Sequence, residues 1–403
     1  MSVRNAVVIG GGIGGLAAAV ALHRGGSQVT VLERAAEIRA VGAGITLQAN
    51  AVRALESLGL AEAACAAGAT GATGGVRDRR GRWLSRVDHA DMVRVLGTDA
   101  IGIHRADLHE VLRSALPAAA LVTGAEVVDV DPGDPRDPAA LATVHVRRAD
   151  APEKMTAELV VAADGIWSTV RGKLWPDLPD PVYAGTTAWR GVVAVDGPMP
   201  VAITWGPGAE FGMVPIGGNR IYWFGAVNSP PGDRRPDELA TVRDRFGSWH
   251  DPIPALLAAT EPDAVLRDDL HHLATPLPSY VAGRVAILGD AAHAMTPNLG
   301  QGAAQALEDA VILAATCGVP ADAGQHHNAT AGGSDLAAAL ASYDRTRRPR
   351  SQEVARASAR IGRMGQQLAN PVLVAMRDAA MRMTPPSAAL RSMTRYAAWR
   401  PPG

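Results

Sequence analysis

Cysteine is nearly absent from this sequence. Among 403 residues there are two, Cys65 and Cys317, in separate alanine-rich stretches and outside any Cys-x-x-Cys or Cys/His cluster. A disulfide framework, a dithiol redox centre and a structural zinc site are thereby excluded, and a reducing, cytoplasmic setting is expected. Charge of one sign is also missing: 39 Lys and Arg against 40 Asp and Glu give a formal net charge of −1. No run of like charge stands out beyond Arg345 to Arg350, which argues against a nucleic-acid binder or a polybasic membrane module. No long hydrophobic run survives either. Ala6 to Leu22 is the most apolar N-terminal stretch, but Gly10, Gly11, Gly12, Gly14 and Gly15 interrupt it, so neither a targeting segment nor a transmembrane segment is expected. Aromatic bulk is scarce, at eight Trp, five Tyr and three Phe.

Glycine, by contrast, is abundant at 43 residues, roughly 11% against a usual ~7%. Ala6 to Ile9 reads as a buried strand, Gly14 to Arg24 as a helix closed by Gly25-Gly26, and Val29 to Leu32 as a second strand ending at Glu33. Between strand and helix lies Gly10-x-Gly12-x-x-Gly15, with Glu33 about 20 residues further on. That is the spacing of a dinucleotide fingerprint. The glycines let the backbone approach a pyrophosphate, the helix N-terminus holds it, and Glu33 can accept from a ribose hydroxyl. Nicotinamide and flavin dinucleotides both fit this unit.

Further along, Val41-Gly-Ala-Gly-Ile45 leads into an extended stretch and a helix from about Ala49 to Leu58. Segment 73–101 alternates as strands do, and His104 to Ala115 is helical. Val127 to Val130 and Val144 to Arg147 frame a hairpin, and Leu159 to Ala162 is an apolar strand. Short strands recur from Tyr183 to Val227 with Gly/Pro punctuation, which predicts an antiparallel sheet. Arg284 to Leu288 is another buried strand, followed by a helix at about Ala303 to Ala315. The stretch Gly318 to Gly333 contains His326-His327 and is read as a solvated loop; no metal site is expected. The expected class is α/β: a discontinuous Rossmann-like nucleotide domain (1–72, 102–175 and 277–345), an inserted antiparallel-sheet substrate domain (73–101 and 176–276), and a C-terminal helical segment (346–403).

Two later clusters separate flavin from nicotinamide. Ala163-Asp164-Gly165, with Ser168 and Arg171, follows the strand at 159–162. Gly289-Asp290-Ala291-Ala292-His293 follows the strand at 284–288 and runs on to Pro297 and Gly300-Gln301-Gly302. An Asp at the end of a buried strand can accept from a ribityl or ribose hydroxyl. Gly300 to Ala304, opening a helix, offers N–H groups to an anionic oxygen. In this order and spacing the three motifs resemble the signatures of single-component FAD-dependent aromatic hydroxylases, the family of p-hydroxybenzoate, salicylate and urate hydroxylases. The resemblance covers about residues 5 to 350. The redox Cys-x-x-Cys of disulfide reductases and the Trp-x-Trp-x-x-Pro of flavin halogenases are absent.

The resemblance implies a glutathione-reductase-type FAD-binding domain. Gly10, Gly12, Ile13, Gly14 and Gly15 would hold the FAD pyrophosphate, Glu33 and Arg34 the adenosine ribose, and Val127 the adenine through its backbone. Arg105 would reach the ribityl or phosphate region and Asp290 the ribityl chain. Gly42 to Ile45, Gly44 among them, would line the flavin ring, and Gly300, Gln301, Gly302, Ala303 and Ala304 its edge. Asp164 would bridge FAD and NAD(P)H. There is no second nucleotide-binding βαβ unit, so NADH or NADPH would bind only briefly as reductant.

The implied activity is a monooxygenase. NAD(P)H reduces FAD, dioxygen adds at the flavin C4a carbon, and the distal oxygen of the hydroperoxyflavin attacks a small aromatic or polyketide-like phenol. Electrophilic attack favours a phenolate or enolate, so a group that takes a proton is needed. Nine of the sixteen aromatics lie between Tyr183 and Trp249, which marks the antiparallel sheet as the place for a flat ring. Thr46, Gln48, Trp189, Trp205, Phe211 and Met213 are expected to line it. Arg190 would receive a carboxylate or phenolate, Tyr222 rather than Trp223 would face the flavin, and Pro297 would set its carbonyl near the reacting oxygen. His293 is read as structural, and no general base is named. Epoxidation or Baeyer–Villiger insertion by the same peroxide stays open, as does a flavin-bound sensor without turnover. The segment beyond Pro349, with five of the 11 methionines, would cover the sheet, support a homodimer or touch lipid; a monomer is equally compatible.

Overall fold

The computed structural model describes residues 3–37, 43–71, 74–149, 151–195, 197, 199–318 and 334–402. Gly42 and the His326-His327 pair lie outside them. β1 (Asn5–Ile9), α1 (Ile13–Arg24) and β2 (Gln28–Leu32) form the opening βαβ unit, with β1 and β2 parallel from Asn5↔Gln28 to Ile9↔Leu32. β3 (Gly44–Leu47), α2 (Ala49–Ser57) and α3 (Ala61–Ala67) follow. β4 (Gly74–Asp78) and β5 (Trp83–Val87) make a hairpin. The alternation at 73–101 predicts strands throughout, but α4 (His89–Leu96) intervenes. Asp88 accepts from the Ala90 N–H at its start, and Gly97 ends it in the left-handed region, two local signals that outweigh the alternation.

β6 (Ile101–His104), α5 (Arg105–Ser114) and β7 (Leu121–Val122) come next. β8 (Ala125–Asp131), β9 (Ala142–Arg148) and β10 (Ala151–Ala157) form a small antiparallel sheet, then β11 (Leu159–Ala162) and α6 (Thr169–Leu174) follow. The second half holds β12 (Val182–Ala194), β13 (Val201–Gly206), β14 (Ala209–Ile216) and β15 (Arg220–Asn228). After α7 (Glu238–Phe246) and α8 (Ile253–Ala258) come β16 (Leu266–His272), β17 (Val281–Ala282), β18 (Val285–Ile287) and α9 (Asp290–His293). The chain closes with α10 (Gly302–Cys317), α11 (Ser334–Met364), α12 (Pro371–Met383) and α13 (Pro386–Thr394).

Two large sheets result. The first has the order β17-β18-β11-β1-β2-β7, parallel except at β17. Its strands are largely apolar because both faces are covered, and Val7, Val31, Val160 and Ile287 are fully buried. The second has the order β16-β12-β15-β14-β13-β4-β5. One of its faces packs Trp189, Phe211, Met213, Trp223 and Val227 against Phe246 and Leu256 of α7 and α8. The other turns toward β3 and the nucleotide-binding half. An Arg220–Asp107 ion pair at 3.0 Å ties β15 to α5.

The expected boundary at 345/346 is not a break. α11 runs through it, and Arg347, fully buried, is pinned to α10 by Glu308 at 2.5 Å and Asp309 at 2.7 Å. Among the described residues no helix is long and apolar enough to cross a membrane, and no group of three His, Cys, Asp or Glu side chains could hold a metal ion.

Candidate active site

The glycine loop is built for close approach. A Cβ on Gly15 would lie 1.9 Å from the Gly10 carbonyl oxygen, so only glycine lets α1 start this near the end of β1. Above Gly12 there is open space, with no atom of the described residues within 4 Å of a Cβ placed there. No side chain caps α1, which leaves its first-turn N–H groups available, those of Ile13 and Gly14 included. Glu33 sits beside the loop, accepting from the Gly11 and Ala35 N–H groups at 2.8 Å each. Arg34 is exposed next to it. The Ala125 N–H donates to the Glu33 carbonyl at 2.9 Å, which brings β8 and Val127 alongside. His109, which sequence reading passed over, bonds the Gly11 carbonyl through Nε2 at 2.6 Å. The Arg105 N–H holds the Ala43 carbonyl at 3.0 Å, while its side chain is exposed with no partner among the described residues.

Asp290 follows β18 with an exposed carboxylate and no hydrogen-bond partner among the described residues. Asp164 differs. It accepts from Ser168 Oγ at 2.6 Å and the Val170 N–H at 3.1 Å, which tie it to the start of α6.

The turn from Pro297 to Gly300 leads into α10, whose first-turn N–H groups at Gly302, Ala303 and Ala304 likewise have no side-chain cap. Side-chain amides hold this turn. Gln48 Nε2 donates to the Leu299 carbonyl at 2.7 Å, and Gln301 Nε2 donates to Gln48 Oε1 at 2.9 Å. Asn50 Nδ2 donates to Gln301 and Glu308 at 2.8 and 2.7 Å. One expectation is corrected here: the Gln48 side chain is occupied in bracing the turn rather than in lining substrate, and the Gln301 side chain joins the same network. Beyond it, Asp309 accepts from His293 Nε2 at 2.6 Å and from the Gly289 N–H at 3.0 Å. Burial alone would raise the Asp309 carboxyl, but His293 and Arg347 beside it reverse this and hold it at about 2. His293 is thus a positioning residue for the segment carrying Asp290.

These features fit FAD. Open space at Gly12, two uncapped helix starts and the unpartnered Asp290 carboxylate match a pyrophosphate, a ring edge and a ribityl hydroxyl.

Across from this half stands the sheet. A Cβ on Gly44 would fall 2.3 Å from Tyr222 Cβ, so the Tyr222 side chain occupies the space beside β3. Thr46 shares that face of β3, two residues on, while Ile45 packs into the nucleotide-binding core. Alternation puts Arg190, Tyr222 and Phe224 on this side and Trp223 on the other, where it stacks on Phe211 with ring centroids 5.6 Å apart. Burial raises the Tyr222 phenol to about 12 and lowers the Arg190 guanidinium from its ordinary value. Arg190 pairs with Asp268, yet its buried Nε has no partner among the described residues.

Three substrate expectations are overturned. The register Phe211↔Gly225 and Met213↔Trp223 places Phe211 and Met213 with Trp223 on the α7/α8 face, away from β3. Trp189 is there too, its Nε1 donating to Glu238 at 2.7 Å. Trp205 does face the nucleotide-binding side, closed off by α11 and α12. A Cβ on Gly365 would come within 2.5 Å of its ring, and the Arg377 guanidinium lies 5.2 Å from the ring centroid.

Trp205 leads to a residue that sequence reading missed. Its Nε1 donates to Glu210 Oε2 at 3.1 Å, the only hydrogen bond of that carboxyl among the described residues. Glu210 is two residues from Gly212, over which the Phe224 ring leans, so it shares the face of Phe224 and Tyr222. Burial raises its carboxyl to about 7, against a weak pull from the Trp205 hydrogen bond.

Comparison with known proteins agrees with this geometry. Residues 4–358 match the family model described as an FAD binding domain. The aurachin C monooxygenase/isomerase of Stigmatella aurantiaca is 39% identical over 381 residues, covering 94% of this chain and 93% of that protein. The 2-heptyl-3-hydroxy-4(1H)-quinolone synthase of Pseudomonas aeruginosa is 31% identical over 392 residues, 94% of each. Klebsiella pneumoniae HpxO, solved with FAD and uric acid, is similar with a TM-score of 0.86 at 27% identity over 98% of this chain and 96% of that one. With its dinucleotide loop, exposed Asp290 carboxylate and opposing sheet, this chain belongs to the FAD-dependent aromatic monooxygenases.

Proposed function

We propose that the chain uses NADH or NADPH and dioxygen to oxygenate an electron-rich heteroaromatic ring of the 4-quinolone type carrying an apolar substituent, held between β3, the Pro297 turn and the inner face of the sheet. The observation that carries this reading is Glu210, a buried carboxyl poised near neutrality on that face. A relative spanning 94% of this chain and named for a heptyl-quinolone product supports the ring class. FAD, when bound, supplies hydride acceptance from the nicotinamide and activation of dioxygen.

The chain's own residues do the rest. Gly10 to Gly15 and the α1 start bind the pyrophosphate, and Asp290 accepts from the ribityl chain. The Gln48–Gln301 pair keeps the Pro297 turn in place against the reacting side. Tyr222, protonated below about pH 12, donates to the ring oxygen. Glu210 accepts the proton that the ring hydroxyl or N–H loses as electron density moves to the carbon under attack. Arg190, with its spare Nε, stabilises the anion so formed. Phe224 and Trp205 exclude water around it.

The test is NAD(P)H oxidation by the FAD-loaded protein across alkyl-4-quinolones, urate and salicylate. An alkylquinolone should accelerate it most and yield a product heavier by one oxygen atom. Urate or salicylate turnover without alkylquinolone turnover would contradict the ring class. Epoxidation followed by rearrangement is favoured as the second reading by the 39% relative, named both monooxygenase and isomerase; an oxygenated product with a migrated substituent would select it.

A further inference from the structure

α12 turns an apolar side outward. At about 100° per residue, Val372, Leu373, Met376, Ala379, Ala380 and Met383 fall within an arc of roughly 120°. All are exposed, Val372 at 66%, Met376 at 64% and Met383 at 79%. The opposite side carries buried Val374 and Arg377, whose guanidinium donates to the Gly365 carbonyl at 2.8 Å and to Asp378 at 2.7 Å. Asn370 caps the first turn through the Val372 and Leu373 N–H groups at 3.0 and 3.2 Å. The helix is therefore held at both its start and its middle. A contiguous apolar arc on such a helix marks an interaction surface.

The charge around it indicates what covers it. The chain as a whole is at −1, yet residues 346–403 contain eleven arginines against two acids, Glu353 and Asp378. Several are spent internally, as Arg347 and Arg350 are on Glu308. Arg356, Arg360, Arg363, Arg391 and Arg400 are exposed with no carboxylate partner among the described residues. Arg363 adjoins Met364, itself 53% exposed, at the end of α11, one residue before the Gly365 carbonyl that Arg377 of α12 holds. A second copy of this surface would bring arginines against arginines across a twofold axis. A layer of lipid phosphates is complementary to both its charge and its apolar arc.

We propose that α12 docks on an anionic phospholipid surface, with its Val372–Met383 side among the acyl chains and the neighbouring arginines on the headgroup phosphates. The docked helix lies beside Gly365 and Trp205, at one wall of the candidate substrate space. Entry of an alkyl-bearing ring from the bilayer would follow from this, a consequence that rests on the proposed function; the docking itself does not.

The test is flotation of the FAD-loaded protein with vesicles of equal phosphatidylglycerol and phosphatidylcholine, and with phosphatidylcholine alone. Expected are binding to the anionic vesicles only, weakening at high salt, and a loss of more than about tenfold in Leu373→Glu/Met376→Glu. Arg363→Gln/Arg391→Gln, which leaves the apolar side intact, should weaken binding several-fold; FAD content and melting temperature monitor the fold of both variants. No binding to anionic vesicles, equal binding to both compositions, or binding unaffected by Leu373→Glu/Met376→Glu would overturn the assignment. So would a concentration-dependent dimer that Met376→Glu abolishes, which would give the surface to a second copy.

Discussion

Replacing Glu210 with Gln isolates the buried carboxyl on which the proposed chemistry turns. The residue is 5% exposed, its partner is Trp205 Nε1 at 3.1 Å, and burial raises it from 4.5 to about 7. The unfolded chain releases this proton near 4.5 and the folded chain keeps it until about 7, so folding becomes less favourable as pH rises through that window. The stability is fully present below about pH 4.5 and lost above about pH 7. At roughly 1.4 kcal/mol per pH unit the displacement corresponds to about 3 kcal/mol. Glutamine keeps the oxygen that accepts from Trp205 and cannot ionise, so it imitates the protonated state. An unfolding entropy of ~2.1 cal/mol/K per residue gives roughly 0.8 kcal/mol/K for a chain of this length. The variant should therefore melt about 3–4 °C above the parent at about pH 8 and level with it at about pH 4.5. Calorimetry of the FAD-loaded proteins across that range reads this directly. An offset that does not change with pH, or a variant less stable at about pH 8, would refute the burial argument. The same substitution should remove an ionisation near 7 from the pH profile of kcat/KM while FAD stays bound.

Asp290→Ala should weaken FAD binding about 10- to 150-fold, the equivalent of a charge-assisted hydrogen bond of roughly 1.5–3 kcal/mol, measured by flavin fluorescence. Arg347→Met leaves Glu308 and Asp309 buried without their shared cation; a loss of about 3–5 kcal/mol is expected in thermal unfolding, and an unchanged melt would show the network to be dispensable. Gly44→Ala forces a Cβ to within 2.3 Å of Tyr222; overpacking of about 1–3 kcal/mol should be relieved when Tyr222→Ala is added, a coupling that a double-mutant cycle detects. Trp189→Ala should cost about 3–5 kcal/mol of stability and leave substrate KM alone, because its ring fills the α7/α8 core; a KM effect without destabilisation would return it to the substrate side.

The nucleotide-binding half was legible because its signals are local. Gly10, Gly12, Gly15 and Glu33 lie within one βαβ unit whose strands, helix and turn each declare themselves over a few residues. The choice of Tyr222 over Trp223 was also legible, since neighbours in a strand point to opposite faces. Which face Trp189, Phe211 and Met213 share was not. That depends on cross-strand register such as Met213↔Trp223, which no strand carries in its own sequence. Glu210 escaped notice because an acid in an alternating strand reads as solvent-facing, whereas the fold buries it on the face it shares with Tyr222 and Phe224. Gln48 read as a pocket residue because its contact with Leu299 joins segments far apart in the chain. The arginine run ending at Arg350 stood out as a charge feature, but only the fold shows that Arg347 within it meets Glu308 and Asp309.

With FAD bound, this chain should transfer one atom of dioxygen to an electron-rich ring. This is tested most directly by running the NAD(P)H-driven reaction with an alkyl-4-quinolone under 18O-labelled dioxygen and weighing the product. A ring product carrying one 18O atom, formed in step with reductant consumed, is expected. Unlabelled product, or hydrogen peroxide as the sole fate of the oxygen with every ring tried, would contradict it.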